Sequence, residues 1–169
     1  MKPLEEQMSF YLRYHRNPKN RLTHFFGVPL IMFSLFVVFG LLRVEIAGFG
    51  FSAATVLAVA VLIYYFRLDV ALAMAMTLFT AVLLFLANLV VAEGLTTALA
   101  VFAVAFVGGW ILQLIGHAFE GKRPALVDNF FQVFVAPIFL MAELFFALGY
   151  KRDVAARVEE LAAHGEPSR

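Results

Sequence analysis

Two apolar runs, Val70–Ala92 and Leu95–Phe119, contain no Asp, Glu, Lys or Arg and are separated only by Glu93 and Gly94. A helix crosses a bilayer with about 20 apolar residues, each rising about 1.5 Å, so each run is long enough to span. The connection is so short that the two helices must be antiparallel neighbours. Two further runs precede them, His24–Leu42 and Phe49–Phe66, and a fifth, Phe130–Leu148, is interrupted by Gln132, Pro137 and Glu143. Hydrophobic residues make up 63% of the 169 and charged residues 15%. Soluble domains hold about 45–50% and about 25%, and a core this small cannot hide the excess, so lipid has to solvate it. The expected fold is all-α: an integral membrane helical bundle in one domain, with four transmembrane helices and a re-entrant or fifth helix at 130–148.

The flanking segments are polar. Leu4–Tyr14 reads as a short amphipathic helix, with Leu4, Met8, Tyr11 and Leu12 on one face and Glu5, Glu6, Ser9 and Arg13 on the other; such a helix lies in the interface or caps a bundle. Pro18 bars its continuation. Asn20 is the expected N-cap of the first span, and Gly27 and Pro29 point to a kink or a close backbone contact there. The tail from Lys151 to His164 is charged and helix-prone, and the last residues are expected to fray. The opening MKPLEEQMSFYLRY puts acids where a signal peptide needs an apolar stretch. With no cysteine, disulfides, thiolate metal sites and Cys nucleophiles are excluded. A net charge of +1 and basic blocks no longer than two residues give no reason to expect nucleic acid as a partner.

Basic residues set the orientation. Arg13, Arg16, Lys19 and Arg21 precede the first span, Arg67 joins the second and third, and Lys122 and Arg123 follow the fourth. Four crossings put all three groups on one side, with only Arg43 opposite. A fifth crossing would carry Lys151, Arg152 and Arg157 outside, so the fifth segment is expected to be re-entrant or in-plane. Both termini and the functional site are then expected to face the cytoplasm, and the short chain with its proline-bearing tail reads as bacterial, which makes the inner membrane the expected location.

That parity brings three of the four histidines to one depth. His24 opens span one, His117 closes span four at the same end, and His15 sits just before Pro18. Asn20 and His24 are i, i+4, while Gln113, His117 and Glu120 are spaced by four and three, so each set shares a helix face. Polar groups at membrane depth are costly and usually face the bundle interior, which points to a shared polar pocket. Neutral imidazole is the usual ligand of zinc, iron and copper, and three such donors leave open positions for catalysis. Taken singly, a juxtamembrane histidine is more often an interfacial anchor or a hydrogen-bonded helix end, and neither HxxxH nor HExxH is present. Tyr11, Tyr14, Tyr64, Tyr65 and Trp110 read as interfacial belt residues. Glu143 reads as a functional acid or as a capping or interfacial group. His164, in the polar tail, should be exposed to solvent.

Two segments carry a resemblance. YHRNPKNRLTHFFGVP, Tyr14–Pro29, and QLIGHAFEGKRPALVDN, Gln113–Asn129, resemble the signatures of the 2-hydroxy fatty acid dioxygenase family. These are small membrane proteins whose fungal member needs Fe(II) and acts in the α-oxidation branch of phytosphingosine breakdown. The resemblance implies that His15, His24 and His117 are iron ligands. It makes Glu120 and Asp128 candidate catalytic or ligand-orienting groups, and Asn20, Gln113, Lys122, Arg123 and Asn129 candidate substrate contacts, the two basic residues drawing in a carboxylate. The implied cofactor is Fe(II), and the implied partners are a 2-hydroxy fatty acid, dioxygen and membrane lipid. Three protein donors would leave three positions on an octahedral ion, enough for a chelating 2-hydroxy acid and dioxygen. Cleavage of the C1–C2 bond would yield a fatty acid one carbon shorter, carbon dioxide and water. No GxGxxG nucleotide pattern is present, in keeping with a reaction whose electrons all come from the substrate.

Two other functions compete. A zinc-dependent lipid hydrolase would use Glu120 as base toward a metal-bound water. A non-catalytic scaffold or transporter is the other; transporters often show repeats and polar residues at mid-membrane, whereas here the polar residues gather at one end.

Overall fold

The computed structural model describes residues 3–46, 48–121 and 131–164. Seven helices and one hairpin make up the described residues: α1 (Leu4–Arg13), α2 (Pro18–Gly40), β1 (Arg43–Ile46), β2 (Phe49–Ser52), α3 (Ala53–Leu68), α4 (Val70–Ala92), α5 (Leu95–Glu120), α6 (Gln132–Ala147) and α7 (Arg152–His164). They form two compact units, one of Met1–Phe25 with Gln113–Arg169, the other of Phe26–Leu112.

In the unit that holds the chain ends, α1 packs on α6 and α7. Glu5 and Glu6 in its first turn and Arg13 in its last complement the helix dipole. Leu4, Met8, Tyr11 and Leu12 are buried as the amphipathic pattern requires, but so is Ser9. Its hydroxyl donates to the Glu6 carbonyl at 2.9 Å, which lets a small polar side chain go inside at little cost. Tyr11, Tyr14 and Tyr65 are likewise buried rather than displayed as belt residues.

Helix α2 begins earlier than the apolar pattern indicates. Pro18 opens it, and the Asn17 side chain caps it by accepting from the Lys19 amide at 2.9 Å. Proline suits a first helical position, where its missing N–H is not needed. Asn20, expected as the cap, is therefore inside the helix and fully buried.

In the second unit, the run expected to open a span at Phe49 instead pairs first as a strand. β1 and β2 form an antiparallel hairpin, Arg43 opposite Ser52 and Ile46 opposite Phe49. Ser52 then caps α3 by accepting from the Thr55 amide at 3.1 Å. Asp69 does the same for α4 toward Leu72 at 3.0 Å, and Gly94, at φ 101°, makes the turn into α5. Phe36, Val37, Ala54, Ala58, Leu83, Ala87 and Ala98 form the core of this unit. Gly109 abuts α2 so closely that an added Cβ would lie 3.1 Å from the Gly27 carbonyl, the close backbone contact expected at that glycine.

Three helices, α2, α4 and α5, are long and apolar enough to cross a membrane, whereas α3 and α6 are apolar but shorter. Their outward faces remain apolar: Leu78 is 71% and Val104 76% exposed. Soluble proteins do not display continuous faces of this kind, and lipid covers them without penalty.

Candidate metal centre

His15 lies just past the end of α1. Its backbone amide donates to the Leu12 carbonyl at 3.0 Å, and its Nδ1 lies 2.8 Å from the Tyr11 carbonyl. A carbonyl can only accept, so Nδ1 carries the ring proton and Nε2 the lone pair. His24, one turn into α2 from Asn20, repeats the arrangement, with Nδ1 2.9 Å from the Asn20 carbonyl. The two Nε2 atoms stand 3.1 Å apart. Two lone pairs at that separation repel unless a cation lies against both. Two nitrogens bound at a right angle and about 2.1 Å from one ion would be about 3 Å apart. The spacing therefore fits a shared metal.

Helix α5 supplies the third donor. The His117 ring centroid is 5.0 Å from that of His15 and 4.9 Å from that of His24. One ligand nitrogen from each of the three lies within 4.8 Å of the others. His117 Nδ1 is buried with no hydrogen-bond partner among the described residues. All three side chains are buried, at 2%, 3% and 6% exposure. Together they can hold a metal, and the bonds that fix the His15 and His24 tautomers are the outer-shell support that metal-binding imidazoles normally have.

The surroundings are built to keep this geometry. The Tyr11 ring stacks on His15 at 3.8 Å and 7°, and leans on Phe139 of α6 at 4.5 Å. Arg21 Nε donates to the His15 carbonyl at 3.0 Å, while its Nη1 pairs with Glu143 at 3.1 Å. Asn20 Nδ2 donates to the Tyr14 carbonyl and to Glu120 Oε2, each at 3.1 Å. Gly116 lets α5 approach α2 here: an added Cβ would collide with Thr23 Oγ1 and Asn20 Oδ1 and lie 3.1 Å from His24 Nδ1.

Of the sequence candidates, His15, His24, His117, Asn20 and Glu120 are thus brought together. Gln113, one turn before His117, is buried with an unpartnered Nε2. Lys122, Arg123, Asp128 and Asn129 lie outside the described residues. Glu143 is in the ion pair with Arg21. His164 is exposed at the end of α7 and bonded to its own helix through the Glu160 carbonyl. Tyr11, Arg21 and Gly116 were not singled out as site residues by the sequence. The available signal for Tyr11 was its spacing of four from His15.

Burial, reinforced by the neighbouring His24, pushes the His15 pKa down to about 2 from 6.5. Folded His15 is therefore neutral and ready to coordinate at neutral pH. As pH falls below about 6.5 the unfolded chain gains a proton there that the folded one refuses, so folding weakens, and it continues to weaken until the folded pKa is reached. The metal-free protein in detergent should lose thermal stability steadily between pH 7 and 5. A melting temperature flat over that interval would contradict a neutral, buried His15.

The chain matches the family described as 2-hydroxy-palmitic acid dioxygenase Mpo1-like over residues 1–148. It is 40% identical over 163 residues to the 2-hydroxy-palmitic acid dioxygenase MPO1 of Saccharomyces cerevisiae, an alignment covering 92% of this chain and 87% of that protein. No solved structure matches. The matched region runs through every segment that supplies a histidine of the cluster, and the chain belongs to the Mpo1-like family.

Proposed function

We propose that this protein is an Fe(II)-dependent membrane dioxygenase that converts 2-hydroxy fatty acids to fatty acids one carbon shorter. The observation that carries the reading is the pair of tautomer-locked histidines, His15 and His24, facing each other at 3.1 Å with His117 beside them. The yeast relative, named for a 2-hydroxy-palmitic acid dioxygenase, supplies the substrate class. Iron(II) held by the three imidazoles would supply the redox centre at which a closed-shell organic acid can react with dioxygen. The overall change is balanced: one 2-hydroxy acid and one dioxygen give one shortened acid, one carbon dioxide and one water.

The protein's own residues have the remaining tasks. His15 and His24 present unprotonated Nε2 atoms because backbone carbonyls hold the protons on Nδ1. The Tyr11 ring covers one face of His15 and excludes water from it. The buried Gln113 amide, on the same face of α5 as His117, is available to donate to a substrate oxygen. Lys122 and Arg123 would draw the carboxylate to the cytoplasmic interface, with Asp128 and Asn129 close to them in sequence. The acyl chain would lie among the apolar helices or along the lipid of the inner membrane. Glu120, which a zinc hydrolase would need as its base, has both carboxylate oxygens engaged by hydrogen bonds, which favours the dioxygenase.

The test is product analysis. Protein purified in detergent and loaded anaerobically with Fe(II) should turn 2-hydroxypalmitate and ¹⁸O₂ into labelled pentadecanoate. Release of a fatty acid from a lipid ester with zinc alone and without dioxygen would count for a hydrolase instead, and no product from 2-hydroxypalmitate with no bound iron would end the dioxygenase reading.

A further inference from the structure

We propose that Glu120 is a positioning residue, the clasp that holds three chain segments in the register at which their histidines meet. The proposal rests on the metal-centre reading above and assigns Glu120 no contact with substrate or metal.

The reasoning starts from the backbone. The donors come from three separate stretches: the link between α1 and α2, the first turns of α2, and the last turn of α5. Helix α2 begins with amides that have no partner inside the helix, and α5 ends with carbonyls in the same position. Within α2, the Lys19 amide is met by the Asn17 side chain, and Glu120, the last residue of α5, holds the two amides that lead into the helix. Its Oε1 accepts from the Arg16 amide at 3.0 Å, and its Oε2 accepts from the Asn17 amide at 2.8 Å and from Asn20 Nδ2 at 3.1 Å. Asn17 in turn serves the end of α5 by donating from Nδ2 to the Phe119 carbonyl at 2.9 Å. The end of α5 and the start of α2 thus cap each other.

Each bond acts on a ligand. Arg16 is the residue after His15, so anchoring its amide fixes where His15 stands. Asn20 is gripped by Glu120 and by the Tyr14 carbonyl, and its own carbonyl holds the proton on His24 Nδ1. Glu120 lies one turn beyond His117 on α5. A carboxylate suits the place because all three facing groups are N–H donors, and an ionised acceptor makes the stronger bond. It also lies at the positive end of the α2 dipole. With three hydrogen bonds on two oxygens, both carboxylate oxygens are committed to holding the Arg16 and Asn17 amides and the Asn20 side chain.

The experiment uses the full-length protein in detergent and the variants Glu120→Gln and Glu120→Ala. Co(II) binding is followed by its visible ligand-field spectrum, and turnover is measured at saturating Fe(II). Loss of a group that orients a ligand typically weakens metal affinity by about 10–100-fold. Co(II) affinity should fall by that factor in Glu120→Ala and by less in Glu120→Gln, which keeps one acceptor oxygen but turns an NH₂ toward N–H donors. At saturating Fe(II), kcat should return to within a few-fold of wild type, and the pH profile should keep its shape. Unchanged Co(II) affinity with kcat down about 100-fold and one limb of the pH profile lost would overturn the proposal and make Glu120 an acid–base catalyst. Should Glu120→Ala fail to fold, Glu120→Gln alone decides the matter by the same affinity measurement. A wild-type protein that binds no Co(II) would overturn the metal-centre reading itself, and this proposal with it.

Discussion

Replacing His24 with alanine should abolish both metal binding and turnover, a loss of about 1,000-fold or more. Changes in the groups that merely orient a metal ligand cost about 10–100-fold, and removal of a ligand exceeds that. The effect should be large at His24 for a further reason. Its Nε2 is 3.1 Å from that of His15, so its loss removes one of the two nitrogens whose close approach defines the site. Bound iron counted by elemental analysis and product counted by mass spectrometry should fall together. His164→Ala is the matched control, because that imidazole is exposed and bonded only within α7. Full iron content in His24→Ala would remove the cluster from the argument.

Gly116→Ala should be the most damaging single-methyl substitution near the site. The new Cβ would press on Thr23 Oγ1, Asn20 Oδ1 and His24 Nδ1 at once. Asn20 cannot retreat, being fully buried and held by the Tyr14 carbonyl and Glu120. Either α5 moves away from α2, carrying His117 with it, or the α2 side chains leave their bonds. Overpacking of this kind costs about 1–3 kcal/mol, a fall of roughly 2–12 °C in melting temperature for a chain of this size. Metal affinity should drop as well. Gly50→Ala, where an added Cβ meets nothing within 4 Å, should change stability by less than about 0.5 kcal/mol. Equal melting temperatures for the two variants would mean the helices are not in close contact at Gly116.

The long helices were legible because their limits are chemical. The run Val70–Ala92 is bounded by the capping Asp69 and the turn at Gly94, and α4 has those same bounds. The hairpin was not legible: RVEI and FGFS are four-residue strands, too short for periodicity to separate them from the apolar run that follows. Asn20 is not the cap that an apolar run beginning at His24 implies, because Asn17 and Pro18 start the helix earlier. The histidines are legible through spacing and membrane depth. Their tautomers could not be read, since these depend on where the Tyr11 and Asn20 carbonyls point. Arg21 read as one of several topology-setting cations, and its bonds to the His15 carbonyl and Glu143 are tertiary. Glu120 read as an acid near Lys122 and Arg123, while its partners are amides about a hundred positions earlier in the chain.

That separation bears on how the protein is made. Asn17 and Glu120 are 103 residues apart, so the pocket is not assembled as the early part of the chain leaves the ribosome. His15 and His24 emerge first and have to wait, without their third companion, until the end of α5 has been synthesised and inserted. A nascent chain arrested before residue 117 therefore lacks one of the three histidines that could hold a metal. A metal that needs all three could be captured only once α5 is complete.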